Sequence, residues 1–270
     1  RIRSKIYIAM KKAALAGKKL CIIGGTGYVG SAIASQAIKM GASVVSVSRG
    51  GRPRDYIHGY DQIEWVKGDS MRPDGFEKQL KESDAVIHLV GTLIDTSITQ
   101  FKKPGEEGTY EHMNRETAIA VGKKLEEIGG KKIVYFSSAT APPFIKRYLS
   151  TKHEAEDFLF GLKKTKATAL RPGFIVSKEH RGWSVPLSVA VNAYAYTFGL
   201  LKKVVPERSI PGEFLRANLD VEHAVQLDAV VISAILAAFD KAYDGRVLFN
   251  KDMEYILENY KKNGFEPTKQ

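Results

Sequence analysis

Short β-branched runs alternate with segments of helical periodicity along most of the chain. The strand-like runs are Lys19–Ile23, Ser43–Ser48, Ile63–Lys67, Ala85–Val90, Lys132–Ser137, Ala167–Arg171 and Arg246–Phe249. Helical patterns fall between them at Tyr28–Met40, Phe76–Glu82, His112–Ile128, Tyr148–Lys163 and Val221–Phe239, with a last one at Met253–Lys262. This alternation predicts an α/β fold: a doubly wound, mostly parallel sheet with helices on both faces. The longest irregular stretches, Thr92–Tyr110 and His180–Asp220, each follow the C-terminal end of a strand. Open α/β sheets bind ligands at that edge.

The first strand runs into Gly24-Gly25-Thr26-Gly27-Tyr28-Val29-Gly30 and then directly into a helix. Two frames fit, GxxGxxG on Gly24, Gly27 and Gly30 or GxGxxG on Gly25, Gly27 and Gly30. In either frame the first glycine makes the turn, the second lets backbone N–H groups approach a pyrophosphate, and the third lets helix and strand pack closely. A glycine motif alone is as well explained by a structural turn. The strand before it and the helix after it supply the context of a Rossmann dinucleotide site.

The end of the second strand bears on which dinucleotide. An NAD site calls for an Asp or Glu about 20 residues after the glycines, on the ribose 2′-hydroxyl. Residues 31–54 contain no acid, and the chain reads Ser48-Arg49-Gly50-Gly51-Arg52-Pro53-Arg54. Guanidinium groups pair with phosphate through planar, charge-assisted bonds. The expected cofactor is therefore NADP(H), with a solvated basic loop as the bland alternative.

The fifth strand ends in Ser137-Ser138-Ala139-Thr140, and Tyr148-Leu149-Ser150-Thr151-Lys152 follows. Tyr148 and Lys152 are four apart and share a helical face. An ammonium beside a phenol lowers its pKa, and a serine hydroxyl nearby can polarise the same substrate oxygen. The Y-x-x-x-K spacing by itself is weak, since Tyr7 and Lys11 match it too. Its position after a serine-bearing strand gives it weight.

Charge changes the picture in one place. The net charge is +11, yet residues 1–54 hold 11 basic residues and no acid, and the rest of the chain holds 30 of each sign. The excess is thus local to the first fifth, which argues against a nucleic-acid face built from several elements. The basic start reads as a solvated tail or as the remains of an organellar targeting sequence. Cys21 is the one cysteine, which excludes an internal disulfide framework, and the six histidines have no metal-ligand spacing with it. Gly182–Leu201 runs 20 residues without a charge but is too polar and broken for a membrane span. Its Trp183, Tyr194, Tyr196 and Phe198 read as core or as an apolar lid or partner surface. A length of 270 residues fits one large domain or a domain with an insertion. The expected division is a basic tail over 1–18, a dinucleotide-binding core over 19–176, and a small C-terminal substrate or partner region over 177–270.

GGTGYVG, the arginine-bearing second strand, SSAT, YLSTK and LRPG, in this order, resemble the short-chain dehydrogenase/reductase superfamily in its extended or atypical branch. VVSVSRGGRPR, HLVGTL and YLSTKHEAEDFL are similar to two mitochondrial groups within it. One is the nucleotide-binding accessory subunit of respiratory complex I, and the other is a reductase-like group associated with coenzyme Q synthesis. The resemblance implies cofactor contacts from Gly24, Thr26, Gly27, Tyr28, Val29, Gly30, Ser48, Arg49, Asp69, Gly91, Lys152 and Pro172, with Asp69 near the adenine. It implies catalytic positions at Ser138, Tyr148 and Lys152; the histidine and cysteine spacing gives no reason to expect a metal. It further implies a peripheral place on the matrix side of the mitochondrial inner membrane, with partner subunits of a membrane complex and a possible quinone or lipid contact. Two functions follow: a structural NADP(H)-binding subunit, complex I being the expected host, or an active NADPH-dependent reductase of a quinone-related or other apolar carbonyl. Tyr148 follows Ser138 by only ten positions and the C-terminal region is thin, departures from the extended enzymes that act on nucleotide sugars.

Overall fold

The computed structural model describes residues 14–53, 60–93, 95, 102–140, 146–177 and 223–264. Its strands are β1 (Lys19–Ile23), β2 (Ser43–Ser48), β3 (Ile63–Lys67), β4 (Ala85–His88), β5 (Lys132–Phe136), β6 (Lys166–Leu170), β7 (Ile175–Val176), β8 (Val225–Gln226) and β9 (Val247–Leu248). Its α-helices are α1 (Tyr28–Lys39), α2 (Glu77–Glu82), α3 (Thr117–Glu127), α4 (Lys146–Phe160), α5 (Leu227–Phe239) and α6 (Asn250–Asn263). Seven strands make one parallel sheet in the order β3-β2-β1-β4-β5-β6-β9, and β7 pairs with β8 in a separate parallel ladder. The winding reverses between β1 and β4. A crevice therefore opens above their C-terminal ends, where doubly wound sheets take nucleotides.

Both faces of the sheet are buried, and β1 shows how. Leu20 and Ile22 point into a core built with α1, α5 and α6, while Cys21 and Ile23 point into a second core built with α2, α3 and α4. Full burial of each such aliphatic side chain contributes about 1.5–3 kcal/mol. Burial also pushes the Cys21 thiol up to about 12, so it packs as an inert apolar group.

The sequence places the start of the fifth helix at Val221, whereas α5 starts at Leu227. Val225 and Gln226 leave the helix to pair with Ile175 and Val176, a non-local contact that no local periodicity signals. Helix α5 is buried almost all round, as an interior helix must be. The helix expected at His112–Ile128 is two elements. Glu111–Glu116 is a π-helical turn, and α3 continues it. The strands expected at Ala85–Val90 and Arg246–Phe249 are shorter, at Ala85–His88 and Val247–Leu248.

His88 ends β4, fully buried, with its ring 5.8 Å from that of Tyr135. Burial, reinforced by the nearby Lys152 ammonium, pushes its pKa down to about 3. Unfolded histidine titrates near 6.5, so below that pH the unfolded chain binds a proton that the folded chain refuses. Stability should therefore fall as pH drops from 6.5 towards 3. Between pH 6.5 and 5, above the range of ordinary carboxylates, the loss should be about 1.5 kcal/mol, its slope rising towards about 1.4 kcal/mol per pH unit as the unfolded histidine becomes fully protonated. Urea unfolding at those two pH values should show most of that loss disappear in His88→Leu; equal losses in the two proteins would refute it.

Candidate nucleotide site and its polar cluster

The turn from β1 to α1 is shaped for close approach. Gly24 has φ +91°, a left-handed conformation that favours glycine, and its N–H donates to the Val47 carbonyl on β2 at 2.8 Å. A Cβ on Gly30 would stand 2.5 Å from the Gly24 carbonyl oxygen, so that glycine brings helix and turn together. A Cβ on Gly25 would stand 2.3 Å from the Ser46 Oγ. Gly27 is different. It is the exposed N-cap of α1, extended at φ −76°, and a Cβ there would meet only the Gly24 carbonyl, at 3.3 Å.

No side chain caps α1, and its first turn holds no acid. Helix N-termini left this way present N–H groups and a positive dipole end to an anion. The residues present therefore fit a dinucleotide pyrophosphate. Thr26 lies exposed at the tip of the turn, while Tyr28 and Val29 pack partly against the core beneath α1.

At the end of β2, Ser48 Oγ donates to the Gly51 carbonyl at 2.9 Å and closes a tight loop. Arg49 extends from that loop, and its Nη1 donates to Glu107 Oε1 at 2.7 Å. Arg52 is paired with Asp61 at 2.9 Å. Asp69 follows β3, where its Oδ1 accepts from the Met71 N–H at 3.0 Å in a local turn. Arg54 and the aromatic stretch 182–201 lie outside the described residues.

Beyond β4 the second cluster assembles. A Cβ on Gly91 would stand 2.8 Å from Asn114 Oδ1 and 3.1 Å from Lys152 Nζ, so these three sit together. Lys152, 5% exposed, donates to the Phe136 carbonyl at 2.8 Å and lies over the rings of Tyr135 and Tyr148, 5.3 and 5.7 Å from their centroids. Ser138 lies close enough to Tyr148 for its hydroxyl to act on the phenol, and its Oγ donates to the Thr140 carbonyl at 2.9 Å. The structure thus brings Ser138, Tyr148, Lys152 and Gly91 into one place. Pro172 is buried at the end of β6, and its carbonyl accepts from the Ala139 N–H at 3.4 Å.

The electrostatics depart from the sequence expectation. The Tyr148 phenol is raised rather than lowered: burial pushes it up, with the Ser138 hydroxyl opposing in part. Burial also brings Lys152 down to about 8, against the pull of Glu156. The phenol is therefore held protonated, with a hydroxyl beside it and an ammonium below. That arrangement can donate a proton to a carbonyl oxygen and regain it from Lys152.

Four residues that sequence reading passed over complete the cluster. Asn114 sits in the π-helical turn, fully buried, and clamps Thr92 on both sides: Oδ1 accepts its N–H at 2.8 Å and Nδ2 donates to its carbonyl at 3.1 Å. The widened turn also frees the Asn114 carbonyl, which accepts from the Tyr135 hydroxyl at 2.7 Å. Tyr110 packs edge-on to Tyr148 at 5.8 Å. Glu156, one helical turn beyond Lys152, pairs bidentately with Arg171 at 2.7–3.1 Å. The i, i+4 spacing of Lys152 and Glu156 was the readable signal for that residue.

A parallel sheet reversing at β1/β4 and a glycine turn leading into an uncapped helix define a dinucleotide-binding protein. The chain belongs to the NAD(P)H-binding family, whose sequence pattern matches residues 24–188. It is 30% identical over 234 residues to an uncharacterized chloroplastic protein of Arabidopsis thaliana, covering 84% of this chain and 74% of that one. It is 27% identical over 213 residues to MIOREX complex component 2 of Saccharomyces cerevisiae, covering 63% of this chain and 76% of that one. In fold it is similar to the Bordetella bronchiseptica enzyme WbmF in complex with NAD+, with a TM-score of 0.58, 17% identity, and coverage of 95% and 82% of the two chains.

Proposed function

We propose that the protein binds NADP(H) and serves as an accessory subunit of a mitochondrial inner-membrane assembly, on its matrix side. The observation that carries the nucleotide is the uncapped, acid-free start of α1 behind Gly27, with Arg49 at the adenosine end. In this reading Gly24, Gly27 and Gly30 shape the pyrophosphate cradle, Arg49 holds the 2′-phosphate, and Gly91 gives the nicotinamide half room to pass. Membership of an assembly is supported by the yeast relative, which is named as a component of a complex. The chloroplastic name of the plant relative supports an organellar address. Among the described residues no helix is long and apolar enough to cross a membrane. Respiratory complex I is the host that the family resemblance implies, and residues 177–270 are the proposed partner surface.

The assembled Ser138, Tyr148 and Lys152 favour a second reading, an active reductase of an apolar carbonyl such as a quinone intermediate. When bound, a nicotinamide would supply the redox chemistry. Tyr148 would donate the proton, Ser138 would hold the carbonyl oxygen, and Lys152 would reprotonate the phenol.

Tyr148→Phe separates the two, because it removes the hydroxyl and leaves the ring. For an accessory subunit, the variant should enter the membrane assembly on native gels and keep wild-type NADPH content. If it instead enters normally but abolishes an NADPH-consuming activity or quinone supply, the reductase reading holds. A chain that migrates alone from organelle membranes would overturn the subunit role.

A further inference from the structure

Arg49 and Glu107 come from opposite sides of the crevice. Arg49 follows β2, and Glu107 lies in the connection after β4, while β1 and its glycine turn sit between those strands. The pair therefore crosses above the end of β1. Glu107 is also held in place by its own turn. Lys102 Nζ donates to the Glu107 carbonyl at 2.6 Å, the Gly105 N–H donates to Thr109 Oγ1 at 3.1 Å, and that hydroxyl donates to the Glu106 carbonyl at 2.8 Å. Thr109 is fully buried, so the turn has an anchor.

We infer that Glu107 is a specificity-determining residue: an internal anion that occupies Arg49 until a dinucleotide carrying a 2′-phosphate takes the guanidinium from it. This rests on the reading of Arg49 as the 2′-phosphate ligand. The chemistry is a competition of two anions for one cation. A carboxylate and a phosphate both accept from a guanidinium, and the phosphate brings more charge and a third oxygen. A ribose 2′-hydroxyl brings no charge and leaves the ion pair in place. NADP(H) binding thus breaks the pair, and NAD(H) binding does not. Because the same connection ends at Tyr110 against Tyr148, the exchange also releases the turn from the adenosine side of the crevice while its other end stays packed in the polar cluster.

Both partners are more than half exposed, so the pair is of modest strength and the expected effect is correspondingly modest. NADPH and NADH dissociation constants should be measured at fixed low ionic strength for the full chain, Glu107→Gln, Arg49→Ala and the double variant. Glu107→Gln should tighten NADPH about two- to fivefold and leave NADH within about twofold. In the Arg49→Ala background the same change should do nothing. Equal tightening of both nucleotides would overturn the inference, since the pair would then be only a bar across the crevice. Weaker NADH binding would overturn it too, because Glu107 would then hold the ribose hydroxyls. Unchanged NADPH binding, or the same gain without Arg49, is equally fatal. Wild-type protein that binds NADH as tightly as NADPH, with Arg49→Ala silent, would instead refute the reading of Arg49 itself.

Discussion

Gly27→Val is expected to abolish dinucleotide binding while the sheet stays folded. The two roles of the glycine turn fall on different residues, which makes the separation possible. Gly24 has a positive φ, and Gly30 has backbone within 2.5 Å of where its Cβ would be. Substitution at either one strains the fold itself. Gly27 has an extended backbone that any residue adopts, and its Cβ direction is open apart from one carbonyl oxygen at 3.3 Å. That open space is where a pyrophosphate would meet the N-terminal N–H groups of α1. A branched side chain would fill it and cost the two or three charge-assisted hydrogen bonds made there, a loss of about a hundredfold or more in affinity. The change of N-cap residue should cost stability only about 1 kcal/mol, or about 2–4 °C in Tm. Calorimetric titration with NADPH and a thermal melt check both halves. NADPH bound at wild-type affinity would show that the glycine turn is structural only.

How much of this was legible in the sequence depended on whether a feature is local. The β1-turn-α1 unit carries its signal within a dozen residues, because turn, N-cap and helix packing each demand a particular residue at a fixed offset. Tyr148 and Lys152 are likewise placed by one helical turn. Strand existence was readable from apolar runs, and strand ends were less so, since β4 and β9 stop where neighbours cease to pair. What could not be read were contacts between distant segments. Glu107 lies 58 residues from Arg49, and nothing near either one announces the other. The absence of acid in residues 31–54 was a true statement about the strand but not about the space around Arg49. The phenol misled for a related reason. Spacing showed an ammonium near a tyrosine, whereas only the packed structure shows how far burial opposes ionisation of both. The Asn114 clamp depended on a π-helical turn, which leaves no mark in a 3.6-residue periodicity.

Glu156→Ala should be the most destabilising single change at the polar cluster. The Glu156 carboxylate is 2% exposed, and Arg171 grips it with two nitrogens. Removing one partner of a buried pair costs about 3–5 kcal/mol, mainly because the other is left uncompensated. Arg171 keeps 24% of its side chain in water and stacks on the Phe249 ring, so about 3 kcal/mol is the expected value. For a chain of this size that is a fall of about 6–12 °C in Tm. A second effect follows at Lys152. Glu156 is the charge that opposes its desolvation, so the lysine should titrate below its present value of about 8. The amine should then react with an acylating reagent at lower pH than in the wild type, as read by mass spectrometry of the labelled peptide across a pH series. Glu156→Ala combined with Arg171→Met removes both charges and should recover part of the lost stability, while leaving the Lys152 titration shifted. Recovery of the titration along with the stability would mean that Arg171, not Glu156, sets the field at Lys152. A Tm unchanged within about 2 °C in the single variant would mean that the ion pair contributes nothing to the fold.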